Sequence, residues 1–123
     1  MNLFEGMTFM YRRLISRDDI LEFARISGDH GIHHTDQSQK LLAHGLLIAT
    51  LPTKLGGDLN FIAREISFEF LKGVYEGETI TCIGKIEKLM EQDTRFKAEL
   101  LFSCSNENGE IVLKGKTKGM IWK

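Results

Sequence analysis

One stretch of this sequence concentrates groups that move protons. From Asp29 to Asp36 the chain reads Asp-His-Gly-Ile-His-His-Thr-Asp and holds three of the four histidines. The fourth, His44, comes eight positions after Asp36 and directly precedes Gly45. A carboxylate beside an imidazole can accept a proton at one atom and supply one at another near neutral pH. Partial burial in a loop over an apolar helix would shift both groups toward that task. A metal is the other chemistry such residues suggest. His30, His33 and His34, however, lie in a loop without the i, i+4 spacing that sets two imidazoles on one helix face, and without a clear third partner. The plainest alternative is structural: Asp29 as the cap of a turn and His34 as a solvated loop residue.

These residues need elements to hold them. Residues 8–15 mix Phe, Tyr, Leu and Ile with two arginines and read as a strand. Ser16 is a helix N-cap, with Asp18 and Asp19 in the first turn where carboxylates suit the dipole. Ile20, Phe23, Ala24 and Ser27 recur at helical spacing, and Gly28 is a good stop. A short helix over 17–27 therefore delivers Asp29 just beyond its end. Asp36 is placed to cap a second helix over 38–55. Leu41, Leu42, Ala43, Leu46, Leu47, Ile48, Ala49 and Leu51 make that helix apolar nearly all round, so it belongs in a core. Pro52 should kink it or end its regular part near Ile48, and Gly56-Gly57 closes it.

The second half reads as strands. Ile62, Ile66, Phe68 and Phe70 share one face of 62–71; Ile80, Cys82, Gly84 and Ile86 share one face of 78–89. Phe96, Ala98, Leu100, Phe102 and Cys104 alternate cleanly along 94–105. Asn108-Gly109 signals a hairpin into a last strand over 110–122. The expected class is α+β, with one antiparallel sheet wrapped around an apolar helix. A lone unit of this shape exposes a sheet edge and part of the helix; pairing edge to edge in a homodimer would cover both.

Composition bounds the rest. A chain of 123 residues is most simply one domain over 1–123, with 42% hydrophobic and 27% charged residues, an ordinary soluble balance. The net charge of −1, with scattered Lys and Arg, offers no nucleic-acid footprint and no membrane-surface patch. Cys82 and Cys104 lack CxxC spacing and read as reduced core residues. The first residues lack the basic start and long apolar run of a signal peptide, so the cytoplasm is the expected location.

Two motifs resemble a known family. Ser27, Asp29, His34 and Asp36 keep the spacing of the Ser-x-Asp-x-Asn-Pro-x-His-x-Asp loop of the MaoC-like (R)-specific enoyl-CoA hydratases. His44-Gly45-Leu46-Leu47 is similar to the start of that family's central helix, and the run from Glu65 to Thr79 looks like its following strand, turn and strand entry. The likeness covers residues 5–120. Gly31-Ile32 stand where the family has Asn-Pro, and the run from Asp36 to His44 is shorter than usual. The resemblance implies a hot-dog fold, a sheet rolled around a long central helix. It also implies that Asp29 and His34 hold a water between them and add it across the double bond of an enoyl thioester. One takes the water's proton; the other manages the proton at the α-carbon. Hydration needs such a base and acid on one side of the double bond. His33 is the rival to His34, since a one-residue loop shift would exchange them. Gly45 would offer its N–H to the thioester oxygen, Thr53 would orient the aspartate, and His44 would hold the loop at the helix start or contribute to the substrate site. No cofactor is implied; the partners would be an acyl-CoA or acyl-carrier-protein thioester and a second copy of the chain.

Three other readings compete. A hot-dog thioesterase usually places a catalytic carboxylate on the central helix, and Gln37 to Gly57 contains none. A 3-hydroxyacyl-carrier-protein dehydratase runs related chemistry in reverse. A non-catalytic acyl-thioester-binding hot-dog protein would tolerate the replaced Asn-Pro and the short loop.

Overall fold

The computed structural model describes residues 2–123. Its elements are β1 (Thr8–Leu14), α1 (Arg17–Ser27), α2 (Ile32–Thr35), α3 (Gly45–Ile48), α4 (Thr50–Asp58), β2 (Phe61–Phe70), β3 (Thr79–Glu91), β4 (Arg95–Ser105) and β5 (Ile111–Trp122). The strands form one antiparallel sheet in the order β1-β3-β4-β5-β2.

α1 starts and stops where its residue types dictate. The Ser16 hydroxyl accepts from the Asp19 N–H, and the Asp19 carboxylate accepts from the Ser16 N–H, closing a reciprocal cap. At the other end Gly28 takes φ 76° and donates its N–H to Ala24 O, a left-handed stop that releases the chain toward Asp29. Ile20 and Ala24 are the face it buries.

The central helix departs from expectation. It begins at Gly45, not near Ser38, and Asp36 caps no helix: its carboxylate accepts from the Ser38 N–H and hydroxyl in a local turn. Residues 41–43 are extended instead. Leu41 N–H donates to Glu76, Leu42 N–H to His33 O and Ala43 N–H to Val74 O. Leu41 and Ala43 point into the core with Leu42 between them, the period of a strand rather than of a helix. Pro52 acts as expected. It has no N–H for the Ile48 carbonyl, and the helix breaks at Ala49 into α3 and α4. The helix is also less enclosed than its composition suggests: Leu47, Ile48, Leu51 and Leu55 are buried, whereas Leu46 is 62% exposed.

β2 corrects a second expectation. Phe61 and Ala63 pair with Ile121 and Gly119, then the register slips, and Ile66 and Phe68 pair with Thr117 and Gly115. The extra residue is Arg64. A bulge of one residue flips every side chain before it to the other face. Ile62 therefore lies opposite Ile66, Phe68 and Phe70, while Phe61 and Ala63 join the inner face. Gly119 permits the close approach, since a Cβ there would sit 2.0 Å from Ile62 O.

The inner face of the sheet supplies Ile80, Cys82, Ile86, Ala98, Leu100, Phe102, Cys104, Leu113 and Ile121 to the core. α4 packs against β1, β2 and β3. Cys82 and Cys104 face each other across β3 and β4, buried and unbonded. The architecture is α+β, a hot-dog sheet around a helix. No helix among the described residues is long and apolar enough to cross a membrane.

Candidate active site

The loop after Gly28 is tied to itself. Asp29 N–H donates to the Ser27 hydroxyl, and Gly31 N–H donates to Asp29 Oδ1 at 3.1 Å. The Thr35 hydroxyl lies 3.2 Å from both His30 O and Gly31 O, and His34 N–H donates to Gly31 O. These bonds wind 32–35 into a single helical turn where the sequence shows no periodicity. Gly31 leaves little room: a Cβ there would lie 3.3 Å from Asp29 Oδ1 and 3.5 Å from the His34 ring. The turn brings the His34 ring back over the start of the loop.

His34 Nε2 lies 3.7 Å from Asp29 Oδ2, and the two side chains are 15% and 58% exposed. His34 Nδ1 lies 2.6 Å from Leu42 O. A carbonyl only accepts, so Nδ1 carries a proton, and in the neutral ring Nε2 turns its lone pair toward the carboxylate. Two acceptors at that separation suit a bridging water, whose two O–H groups can serve both. His33 is exposed and contributes only its main-chain carbonyl, to Leu42 N–H. His30 is exposed as well.

His44 lies against this pair. It is 4% exposed, its Nε2 is 3.0 Å from Asp29 O, and its ring stacks on His34 at 3.7 Å and 17°. Donor atoms of Asp29, His34 and His44 fall within 4.8 Å of one another. Imidazole lone pairs lie in the ring planes, however. Two nearly parallel, stacked planes cannot aim both at one ion about 2.1 Å away.

Gly45 opens α3 beside His34. Its N–H is at the first turn, where no intrahelical acceptor exists, and the Phe70 ring lies so close that a Cβ would sit 2.9 Å from it. His34, Leu42, Gly45, Ile48, Phe70, Leu71 and Val74 line a cavity of about 340 Å³. A larger hollow of about 540 Å³ on the outer sheet face is lined by Glu69, Lys85, Lys114 and Lys116 and holds no histidine. Thr53 lies elsewhere. Its hydroxyl donates to Ala49 O, and it borders a separate pocket of about 140 Å³ with Phe61, Phe68 and Thr117.

One support has no local signal in the sequence. Arg17 grips Glu76 through Nε and Nη2 at 2.9–3.1 Å and reaches Gln37 O and Gln39 O. Glu76 in turn accepts from Leu41 N–H at 2.7 Å. The Arg17 guanidinium, and then the Leu41 N–H, hold the Glu76 carboxyl below its ordinary range. This clasp fixes the short run into Leu42, whose carbonyl holds His34.

No protein-family model and no curated protein matches the sequence. Solved structures do. The unliganded (R)-hydratase PhaJ1 from Pseudomonas aeruginosa superposes with a TM-score of 0.86 at 21% identity, over 98% of this chain and 83% of that one. An (R)-hydratase from A. caviae involved in PHA biosynthesis gives 0.85 at 21%, over 98% of both chains. A MaoC-like dehydratase from Rhodospirillum rubrum gives 0.72 at 14%, over 98% and 94%. The chain thus carries the hot-dog fold shared by (R)-hydratases and MaoC-like dehydratases.

Proposed function

We propose that this protein adds water to trans-2-enoyl thioesters, or removes it from (R)-3-hydroxyacyl thioesters, with Asp29 and His34 as the acid–base pair. The observation that carries the reading is the 3.7 Å opposition of Asp29 Oδ2 and His34 Nε2 at a cavity that also receives Gly45. A water held between them loses one proton to the pair as its oxygen bonds to the β-carbon. The α-carbon takes one proton from the pair, which returns to its starting state. Negative charge that builds on the thioester oxygen is met by the Gly45 N–H. Leu42, Ile48, Phe70 and Val74 give the acyl group an apolar wall. Leu71 and Lys72 line the same cavity.

The working unit in this reading is the whole chain as one domain, paired with a second copy. Leu46, Ile66, Phe70 and Leu71 are all more than half exposed along the β2 edge and the start of the helix, and a second copy would cover them. The thioester carrier is CoA or an acyl-carrier protein.

The test is hydration of crotonyl-CoA, longer enoyl-CoAs and carrier-protein thioesters, followed by loss of enoyl absorbance, with Asp29→Asn and His34→Ala alongside. Inactivity of the unaltered protein on every thioester would overturn the function. Activity that survives both substitutions would overturn the site. Sedimentation as a 14.0 kDa monomer would overturn the pairing.

A further inference from the structure

His44 is buried beside the acid–base pair, yet no step above uses it. Its Nε2 faces a main-chain carbonyl, Asp29 O, at 3.0 Å, so Nε2 carries the proton. Nδ1 is left with a lone pair that is buried without a partner among the described residues. A buried acceptor of this kind is retained at a cost, and an apolar residue of similar size would avoid it. The ring makes two further contacts. Phe23 of α1 tilts against it at 4.9 Å and 56°, and His34 stacks on it at 3.7 Å. One side chain therefore touches the helix before the site, the main chain of Asp29 and the ring of His34. It does not line the cavity that holds His34 and Gly45.

The stack supplies what His34 otherwise lacks. The Nδ1–H bond to Leu42 O fixes one direction in the ring plane but leaves the ring free to rock about that bond. A second flat ring at van der Waals distance removes the rocking. The bond to Asp29 O holds the main chain from which the carboxylate hangs. An aliphatic residue supplies neither restraint. We propose that His44 is a positioning residue: it sets the distance and angle between Asp29 and His34 from behind and exchanges no proton with the substrate. This rests on the hydratase reading given above.

Three variants separate its two contacts. His44→Phe keeps a ring and loses the N–H. His44→Gln keeps an N–H within reach of Asp29 O and loses the ring. His44→Leu loses both. With crotonyl-CoA, His44→Leu should lower kcat about 10²-fold, the scale of a misplaced reacting group, and leave KM within about threefold. His44→Phe and His44→Gln should each recover part of that loss. Thermal melts of all three accompany the kinetics, and if His44→Leu does not fold, the Phe and Gln variants against wild type carry the test. The inference is overturned if the folded variants keep wild-type kcat. It is also overturned if KM rises while kcat holds, since His44 then touches substrate, or if Phe and Gln do no better than Leu at equal melting temperature. Asp29→Asn in the same series tells the two readings apart. If Asp29→Asn is as active as wild type, the acid–base assignment has failed. If Asp29→Asn is inactive and the His44 variants are unaffected, only the positioning role has failed.

Discussion

His34 turns its Nε2 toward Asp29 Oδ2 at 3.7 Å while its Nδ1–H is tied to Leu42 O on the far side of the ring. The tautomer, and with it the lone pair that faces the carboxylate, is thus set by a main-chain carbonyl. Asp29→Asn and His34→Ala should each lower kcat on crotonyl-CoA by about 10²–10⁴-fold, the range for a lost general acid or base. His33→Ala, which removes an exposed neighbour, should stay within about threefold of wild type. Equal losses at His33 and His34 would show that the two are not distinguished in this way.

Gly45 and Phe70 should be coupled. A methyl group at position 45 would lie 2.9 Å from the Phe70 ring, and overpacking of this kind costs about 1–3 kcal/mol. Gly45→Ala should lower the denaturation midpoint, and Phe70→Leu should recover much of that loss in the double variant. Additive effects of the two substitutions would mean that the ring is not what Gly45 accommodates.

Gly119 and Gly57 make opposite predictions for one substitution. At Gly119 a Cβ would overlap Ile62 O at 2.0 Å, so Gly119→Ala should cost about 3 kcal/mol, at the upper end for overpacking, or prevent folding. At Gly57, inside α4, a Cβ meets nothing within 4 Å, so Gly57→Ala should stabilise by up to about 1 kcal/mol through helix propensity. Urea unfolding of both variants checks the pair.

The clasp predicts a pH signature. The Glu76 carboxyl sits below its ordinary value of 4.5 because Arg17, and then Leu41 N–H, bond the charged form. Its contribution to stability is therefore complete above pH 4.5 and fades as pH falls through the lower, folded value. Glu76→Gln should melt below wild type at pH 7, and the gap should close progressively below about pH 4.5. A gap that stays constant down to pH 2.5 would contradict this.

Most of the fold was legible because its signals are local. Ser16 and Gly28 bound α1, Pro52 breaks the helix where its missing N–H requires, and strict alternation places β3 and β4. The two misread elements turn on partners that are distant in sequence. Leu41-Leu42-Ala43 has a composition that suits a helix, but the alternation of Leu41 and Ala43 answers to Val74 and Glu76. Ile62 shares the parity of Ile66, and only the slip against β5 shows that Arg64 is an extra residue. At the site, the spacing of Asp29 and His34 was visible. The stack of His44 on His34 was not, because neither residue type nor spacing reports the angle between two rings. Thr53 donates its hydroxyl to Ala49 O within its own helix, a bond that helical register does not reveal.

Arg17 and Glu76 are 59 positions apart, and that separation imposes an order of events. A chain made from its N-terminus has Asp29, His34 and His44 in place well before Glu76 and Tyr75 exist to hold 39–42. Until those residues arrive, Leu41 N–H lacks its acceptor, and the carbonyl that selects the His34 tautomer has no fixed position. A half-made chain therefore carries Asp29, His34 and His44 without the carbonyl that orients the imidazole, and the three take up their mutual geometry only when the turn before β3 meets Arg17 at the start of the first helix.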